Sequence, residues 1–452
     1  MIEIWPEVDG SLRLRATYTD EFLNDASATL MLQQFSDLIS FVIRNPEKPY
    51  INGRYATAPS IYPQILSTEL TGPSALLHTD FERNTKMNPK DVALIFINNF
   101  TAQDPAANVK WTFAELDRKA NRLASYLVQR YGPLEDKVVP FSIYKSPELY
   151  VAILGILKAG GAWCPIDPTF PASRRHDLIL RTDANMLLVA NDTVSQDGQA
   201  IPQGVSLIDI SENKATNSTF SLDETKPSNL PIIRSNSLAY LIWTSGTTGL
   251  PKGVQVQHSA AATAMQSLKE AIPASRSGEV RCLQFSQPTF DVFVQDLFYT
   301  WGLRGTVIAA AKDVMLGSFP DLANVTNATH AHLTPAFATI VARAHCKTLE
   351  VVTMIGEALP HPVADDWSQN MLAYNTYGPA EVSVVSTVKQ FGGYENSFKS
   401  ANVGLPLPSV GVFVINSDRV VMRNGVGELA LSGPQVARGY WKDLAKTEER
   451  FH

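Results

Sequence analysis

The chain has 452 residues, 45% of them hydrophobic, and its 38 basic and 44 acidic residues leave a net charge of −6. This length exceeds what one hydrophobic core usually serves, and the charge balance, without any block of like charges, gives no footprint for nucleic-acid binding. No apolar run reaches the ~20 residues that cross a bilayer. The acid-containing first residues do not predict a secretory signal, and three scattered cysteines predict reduced thiols in a cytoplasmic protein.

Hydrophobic periodicity and composition divide the chain into three predicted segments. Residues 1–46 contain a strand, "LRLRATY", and an amphipathic helix, "ASATLMLQQFSDLISFVIRNP", which together cannot bury a core. The apolar face of this helix comprises Met31, Phe35, Leu38 and Val42. Residues 47–75 are rich in Pro, Tyr and small polar residues without periodicity, which is typical of a linker. Residues 76–452 form the main predicted domain.

The main domain alternates between helices and apolar strands. Thr112 and Glu115 have the spacing of a capping box at the start of a helix, and a second helix is predicted from Pro147 to a stop at Gly160. Strand candidates such as "VVPFSIY", "MLLVAN" and "VVTMIG" are apolar on both faces, as parallel strands covered by helices are. The fold class is therefore α/β. Near the end, "GVFVINS" and "GELALSG" predict a small antiparallel or barrel-like subdomain.

The stretch "LAYLIWTSGTTGLPKG", residues 238–253, places a strand before a loop of hydroxyls and glycines that ends in Lys252. Glycines let backbone N–H groups close around an anion, and a lysine adds a point charge for phosphate oxygens. A helix capped by Ser259 is predicted to follow. The loop comprises Thr244, Ser245, Gly246, Thr247, Thr248 and Gly249. The alternatives are an ordinary surface turn and the P-loop of kinases and GTPases, but the glycines lack the P-loop spacing.

This loop resembles the phosphate loop of adenylate-forming enzymes, specifically the adenylation domains of nonribosomal peptide synthetases. The resemblance extends, in the family's order, over "WTFAELDRKANRLASYL", "LKAGGAWCPIDP", the loop, "FDVF", "NTYGPAE" and "GELALSGPQVARGYW". Residues 1–46 are similar to the tail of a condensation domain. The resemblance implies the large N-terminal core of the enzyme, with parallel sheets flanked by helices. Because the sequence stops at "KTEERFH", we expect the small C-terminal lobe, with its catalytic lysine, to be absent.

The family activates a carboxylic acid with ATP, forming an acyl-adenylate and pyrophosphate. The resemblance implies that the loop and Lys252 hold phosphates, that Glu381 binds Mg²⁺, and that both Lys252 and Glu381 are catalytic. Tyr377 would stack on adenine and Asn375 would bind its edge. The remaining nucleotide-binding residues implied are Gly356, Glu357, Ala358 and Gly378.

Asp291, in "FDVF", implies an α-amino acid substrate, since the aspartate at this position pairs with the α-ammonium group in such family members. The other pocket residues implied are Val292, Gln295, His332, Thr353, Ile355, Thr376, Val384 and Val385. Most are small or medium and several are polar, so we expect a large polar or modified amino acid, such as an acylated hydroxyornithine of the siderophore kind. His332 has no second His or Cys at metal-ligand spacing.

The implied partners are the amino acid, ATP, and the condensation and carrier domains of one multidomain synthetase. The adenylate would pass to a phosphopantetheine thiol on the carrier domain. Two alternatives stay open: an acyl- or aryl-CoA ligase of the same superfamily, and a degenerate nucleotide-binding module. Phe293 and Ala380 depart from the Ser and Thr that many members carry at these positions. Without the C-terminal lobe, we expect this fragment to be weak or inactive in adenylation.

Overall fold

A computed structural model describes most of the chain, and everything below refers to those residues. They are 2–18, 25–44, 46, 75–100, 109–190, 193, 201–211, 230–245, 251–275, 278–391, 402–416, 419–420 and 426–451. Nearly all of the predicted linker, residues 47–75, lies outside this set. None of the described helices is both long and apolar enough to span a bilayer.

The chain divides into two compact units. The first comprises residues 1–68 and 410–433, and the second comprises 69–409 and 434–452. The domain boundaries expected from the sequence remain a prediction.

The first unit contains one long helix and short antiparallel strands. Its elements are β1 (Ile2–Pro6), β2 (Leu12–Ala16), α1 (Asp25–Arg44), β18 (Gly411–Asn416), β19 (Arg419–Val420) and β20 (Glu428–Ser432). Strands β1 and β2 form a hairpin, and β19-β18-β20 form a separate antiparallel sheet. The described strands of the predicted small subdomain thus form an open antiparallel sheet. On the predicted apolar face of α1, Phe35 and Leu38 are half-buried, while Met31 and Val42 are exposed.

The second unit is built on two large sheets. The seven-stranded sheet has the order β21-β10-β9-β6-β5-β7-β8. Its strands are β5 (Val138–Ser142), β6 (Ala162–Pro165), β7 (Met186–Val189), β8 (Ser206–Asp209), β9 (Leu238–Thr244), β10 (Lys252–Gln257) and β21 (Gly439–Tyr440). The run from β9 to β8 is parallel, whereas β10 pairs antiparallel with both of its neighbours.

The nine-stranded sheet has the order β17-β16-β15-β14-β13-β11-β12-β3-β4. Its strands are β3 (Val92–Ile97), β4 (Val109–Thr112), β11 (Arg281–Leu283), β12 (Thr306–Ala310), β13 (His330–Leu333), β14 (Val351–Met354), β15 (Leu372–Tyr377), β16 (Thr387–Phe391) and β17 (Leu405–Pro406). The six strands from β15 to β3 are parallel. The α/β class expected from strands that are apolar on both faces is confirmed.

Helices of the second unit pack along these sheets. They are α2 (Thr79–Met87), α3 (Phe113–Tyr131), α4 (Pro147–Lys158), α5 (Ala172–Arg181), α6 (His258–Ala271), α8 (Lys312–Gly317), α9 (Phe319–Val325), α10 (Pro335–Ile340), α11 (His361–Trp367) and α12 (Leu444–Arg450), together with α7, which runs Val292–Val294, a π-helical turn Gln295–Tyr299, and Thr300–Gly302. The predicted capping box is confirmed, because the Thr112 hydroxyl accepts from Glu115 N while the Glu115 carboxylate accepts from Thr112 N.

Candidate functional site

Several of the predicted substrate and nucleotide residues lie toward one edge of the nine-stranded sheet. Asp291 follows β11, Ile355 follows β14, and Tyr377 ends β15. The carboxyl ends of parallel strands share one edge, which is where open α/β sheets bind ligands. Residues separated by up to 86 positions in the chain, from Asp291 to Tyr377, therefore converge because of the topology.

The predicted phosphate loop connects β9 and β10 of the other sheet. Of its residues, Gly246, Thr247, Thr248 and Gly249 lie outside the described set, while Thr244 is half-buried and Ser245 exposed. Lys252 is opposite Thr244 in an antiparallel pair, so it begins a strand. The predicted helix after the loop is present as α6, but strand β10 precedes it. The predicted N-cap is wrong, because α6 begins at His258 and its N-cap is Gln257 instead of Ser259.

Glu381 lies in a short 3₁₀ turn after β15 and is tied to the far end of the other sheet. Its carboxylate Oε1 accepts a hydrogen bond from the Tyr440 hydroxyl at 2.7 Å. Its carbonyl accepts from Ala437 N at 2.8 Å. Within the described part of the chain, no donor reaches the second carboxylate oxygen. A half-buried carboxylate with one oxygen held and one free suits a hard cation such as Mg²⁺.

Asp291 carries a carboxylate that is only partly satisfied. Its Oδ2 is buried and has no hydrogen-bond partner among the described residues. Burial raises the pKa of Asp291 to about 7; the charge of Glu381 adds to this, while backbone N–H groups of Val292 and Val384 oppose it. An unpaired buried carboxylate is costly unless a cation meets it. A positively charged ligand group would supply the partner that Oδ2 lacks.

The polar pocket residues form a buried network. His332 Nδ1 lies 3.1 Å from Gln295 Nε2 and 2.7 Å from Thr353 Oγ1. Burial lowers the pKa of His332 to about 3, so the imidazole is neutral. Gln295 Oε1 and His332 Nε2 are both buried without a partner in the described structure. Thr376 is already engaged, since its hydroxyl donates to Met354 O at 3.1 Å.

The apolar pocket wall contains a strained turn that the sequence did not indicate. Val384 has φ +78° and Ser383 φ +53°, and positive φ is rare for a β-branched residue. Gly378 permits this turn, because a Cβ there would lie 2.2 Å from Val384 O. Val384, Val385 and Ile355 are buried, and Val292 is half-buried.

The predicted nucleotide residues have different environments. Tyr377 is 38% exposed. Gly356, with φ +94°, Glu357 and Ala358 form an exposed turn. The Glu357 carboxylate accepts from Ala336 N at 2.9 Å, and the Asn375 amide donates to Asn402 O at 3.1 Å. The side chains of Glu357 and Asn375 therefore help to fix the local main chain.

The structure also brings together a cluster that spacing in the sequence did not predict. Ligand atoms of Cys282, Asp296 and His332 lie within 4.8 Å of one another, all buried. Asp296 Oδ2 accepts from Gln284 Nε2 at 2.8 Å and from Ser286 N at 3.1 Å. The sequence shows no ligand spacing for this cluster, because β11 and β13, which carry Cys282 and His332, are neighbours only in the folded sheet.

Comparison with protein families gives a match over most of the chain, residues 81–441, to the model described as AMP-binding enzyme. The chain belongs to the AMP-binding enzymes. Among curated relatives of this AMP-binding enzyme, "Nonribosomal peptide synthetase sidC" of Aspergillus fumigatus is 51% identical over 457 residues. "Siderophore peptide synthetase fer3" of Mycosarcoma maydis is 42% identical over 484 residues. Each alignment covers 100% of this chain but 10% of the relative, so the chain spans about a tenth of their length.

Solved structures agree with the fold of an AMP-binding enzyme. The nonribosomal peptide synthetase FmoA3 in its AMPPNP-bound form has a TM-score of 0.80 and 21% identity, covering 100% of this chain and 48% of that one. The Klebsiella oxytoca NpsA N-terminal subdomain with 3-hydroxybenzoyl-AMSN has a TM-score of 0.69 and 21% identity, covering 82% and 89%. The resemblance to synthetase adenylation domains is confirmed.

Proposed function

We propose that this chain activates an α-amino acid as an aminoacyl-adenylate, with release of pyrophosphate. The observation that carries this proposal is the Asp291 carboxylate, buried with Oδ2 unpaired at the edge where the nucleotide residues converge. An α-ammonium group would supply the missing partner. A simple aryl or fatty acid, the substrate of a CoA ligase, carries no such cation. Asp291 therefore favours an amino-acid substrate over the CoA-ligase alternative.

In the proposed reaction, the substrate carboxylate attacks the α-phosphorus of ATP and the bond to pyrophosphate breaks. Such a step needs placement and charge neutralisation more than a protein nucleophile. Lys252 would bind phosphate oxygens, and Glu381 would hold Mg²⁺, which neutralises charge on the phosphates when bound. Tyr377 would stack on adenine, and the loop of residues 244–249 would hold the departing phosphates.

The names of the relatives support a place within a larger synthetase. Both relatives named above are peptide synthetases about ten times longer than this chain. We infer that the adenylate passes to a phosphopantetheine thiol on a carrier domain, and that a condensation domain precedes this unit. The siderophore named for one relative is consistent with a modified ornithine as substrate.

The test is thermal unfolding of this chain with non-hydrolysable aminoacyl-adenylate mimics. A mimic at about 100 times its dissociation constant should stabilise the fold by roughly 2.7 kcal/mol. We expect such a shift with at least one α-amino-acid mimic, and none with its des-amino counterpart. Equal shifts with both mimics would contradict the amino-acid assignment, and a shift with neither would contradict adenylate binding.

The pocket network supports a neutral substrate side chain that carries both a donor and an acceptor. As placed, Gln295 Nε2 donates to His332 Nδ1, which leaves Gln295 Oε1 as an acceptor and His332 Nε2–H as a donor. Rotating the Gln295 amide by 180° exchanges these roles and leaves the same pair. A carboxamide or an N-hydroxy amide would satisfy both atoms, whereas an aliphatic side chain would satisfy neither.

We expect Gln295→Met to weaken binding of an amide-bearing mimic about tenfold or more, because His332 loses one of its two partners and the substrate loses one hydrogen bond. Affinity for a norleucine-type mimic should change much less. Thr376→Val is the matched control, since its hydroxyl already binds Met354 O. Isothermal titration calorimetry of each variant measures the ratio of the dissociation constants of the two mimics. If Gln295→Met lowers both affinities equally, the network is structural and the side-chain proposal is wrong.

A further inference from the structure

Tyr440 is a buried residue of the second unit whose role is not evident from the sequence. It ends the short strand β21 and pairs with Val254 of β10. The main chain is fixed on both sides, because Arg438 N donates to Gln255 O at 2.8 Å and Trp441 N donates to Gly253 O at 2.7 Å. The residue is only 6% exposed, and these main-chain hydrogen bonds fix its place in the sheet.

The Tyr440 side chain joins two residues that the proposed function places in the reaction. Its hydroxyl donates to Glu381 Oε1 at 2.7 Å, and the Lys252 ammonium lies 5.3 Å from its ring centroid. The ring edge also meets Phe451, with centroids 5.4 Å apart. The Tyr440 phenol is the donor of this hydrogen bond, and the Glu381 carboxylate oxygen is the acceptor.

These contacts with Tyr440 set the orientation of the Glu381 carboxylate and the position of the Lys252 ammonium. A carboxylate whose Oε1 is held by a phenol presents Oε2 in one direction, and the partners of ligating carboxylates orient them in this way. The Glu381 main chain is held by Ala437, three residues before Tyr440, so the same segment fixes both ends of the residue. The ring face attracts the Lys252 ammonium by a cation–π contact.

We propose that Tyr440 is the positioning residue for Mg²⁺–nucleotide binding: its hydroxyl orients Glu381 toward the metal and its ring holds Lys252 beside the phosphates. The inference rests on the proposed function. It predicts that Tyr440→Phe, which keeps the ring and removes one oxygen, acts through Glu381 alone. Tyr440→Leu also removes the ring, and should weaken ATP binding even without Mg²⁺.

The experiment is calorimetric titration of this chain with ATP at graded Mg²⁺ concentrations. For Tyr440→Phe we expect the Mg²⁺ concentration at half-maximal enhancement of ATP binding to rise about 10- to 100-fold, as for loss of a metal ligand's hydrogen-bond partner. Binding of ATP without Mg²⁺ should stay within about twofold. In a Glu381→Gln background, Tyr440→Phe should add less than about twofold, because the two residues act as one unit. Tyr131→Phe, which removes a hydroxyl at the end of α3, is the control.

The outcomes are separable. If the wild-type chain binds ATP with no Mg²⁺ dependence, the assignment of Glu381 and therefore this inference fall together. If Glu381→Gln loses the Mg²⁺ dependence while Tyr440→Phe matches wild type, the inference alone is overturned. If Tyr440→Phe weakens ATP binding equally with and without Mg²⁺, or equally in the Glu381→Gln background, Tyr440 is merely structural and the inference is again overturned.

Discussion

Replacing Asp291 with Asn is expected to weaken amino-acid binding strongly and, at the same time, to stabilise the ligand-free protein at pH 8. The carboxylate is buried with Oδ2 unpaired, so its charge costs free energy until an ammonium group arrives. Asn keeps the shape without the charge. We expect the free energy of unfolding in urea to rise by about 1–3 kcal/mol, and affinity for an aminoacyl-adenylate mimic to fall roughly 100-fold or more.

The pH dependence has a defined sign. The pKa of Asp291 is raised from 3.8 to about 7, so the folded protein holds this proton more tightly than the unfolded chain. The resulting stability is present below pH 4 and is lost as the pH rises through 7. The gain from Asp291→Asn should therefore be small at pH 4 and largest at pH 8. Affinity for the amino-acid mimic should fall about tenfold for each pH unit below 7, because the protonated carboxyl cannot pair with ammonium.

Asp296→Asn is the matched control for this prediction. Burial also raises the pKa of Asp296, and its Oδ1 is likewise buried without a partner in the described structure. Unlike Asp291, Asp296 has the Lys145 ammonium nearby, and its Oδ2 accepts two hydrogen bonds, from Gln284 and Ser286. Replacing that carboxylate should weaken these bonds and destabilise the fold. If Asp291→Asn destabilises the protein at pH 8 as Asp296→Asn does, and leaves mimic binding unchanged, the carboxylate serves the fold and the amino-acid assignment is wrong.

The parts of the fold that could be predicted from sequence depend on local patterns. The Thr112–Glu115 capping box closes within one helical turn, so four residues specify it. Parallel strands were identified because burial on both faces requires apolar residues throughout. The strand after the phosphate loop, β10, is hard to predict because its six residues, "KGVQVQ", contain only two apolar side chains.

The parts of the site that could not be predicted depend on contacts between distant residues. Tyr440 and Glu381 are 59 positions apart, and nothing in either segment alone indicates their hydrogen bond. The family resemblance indicated which residues surround the substrate, but not which of their atoms lack partners. The unpaired oxygens of Asp291 and Gln295 emerge only when every neighbouring donor has been placed. The chemistry of the proposed substrate is therefore inferred from the atoms that lack partners in the folded structure.

Replacing Gly378 with Ala is expected to be among the most destabilising single-methyl additions in the second unit. The new Cβ would lie 2.2 Å from Val384 O and 2.7 Å from the Val385 Cα, both main-chain atoms that cannot rotate away. The turn at Ser383 and Val384 already has positive φ, so further displacement adds to existing strain. We expect a loss of about 3 kcal/mol or more in urea unfolding, and weaker binding of every adenylate mimic.

Gly356→Ala separates this steric effect from the conformational preference of glycine. Gly356 has φ +94° but open space around its Cβ position, so alanine there is strained without a collision and should cost about 1–2 kcal/mol. At Gly378, by contrast, the added Cβ would collide with the main chain of the pocket wall. Because that wall contains Val384 and Val385, the loss at Gly378 should affect pocket shape as well as stability. Equal losses at the two glycines, with mimic affinity retained by Gly378→Ala, would mean that the Val384 turn relaxes freely and does not fix the pocket.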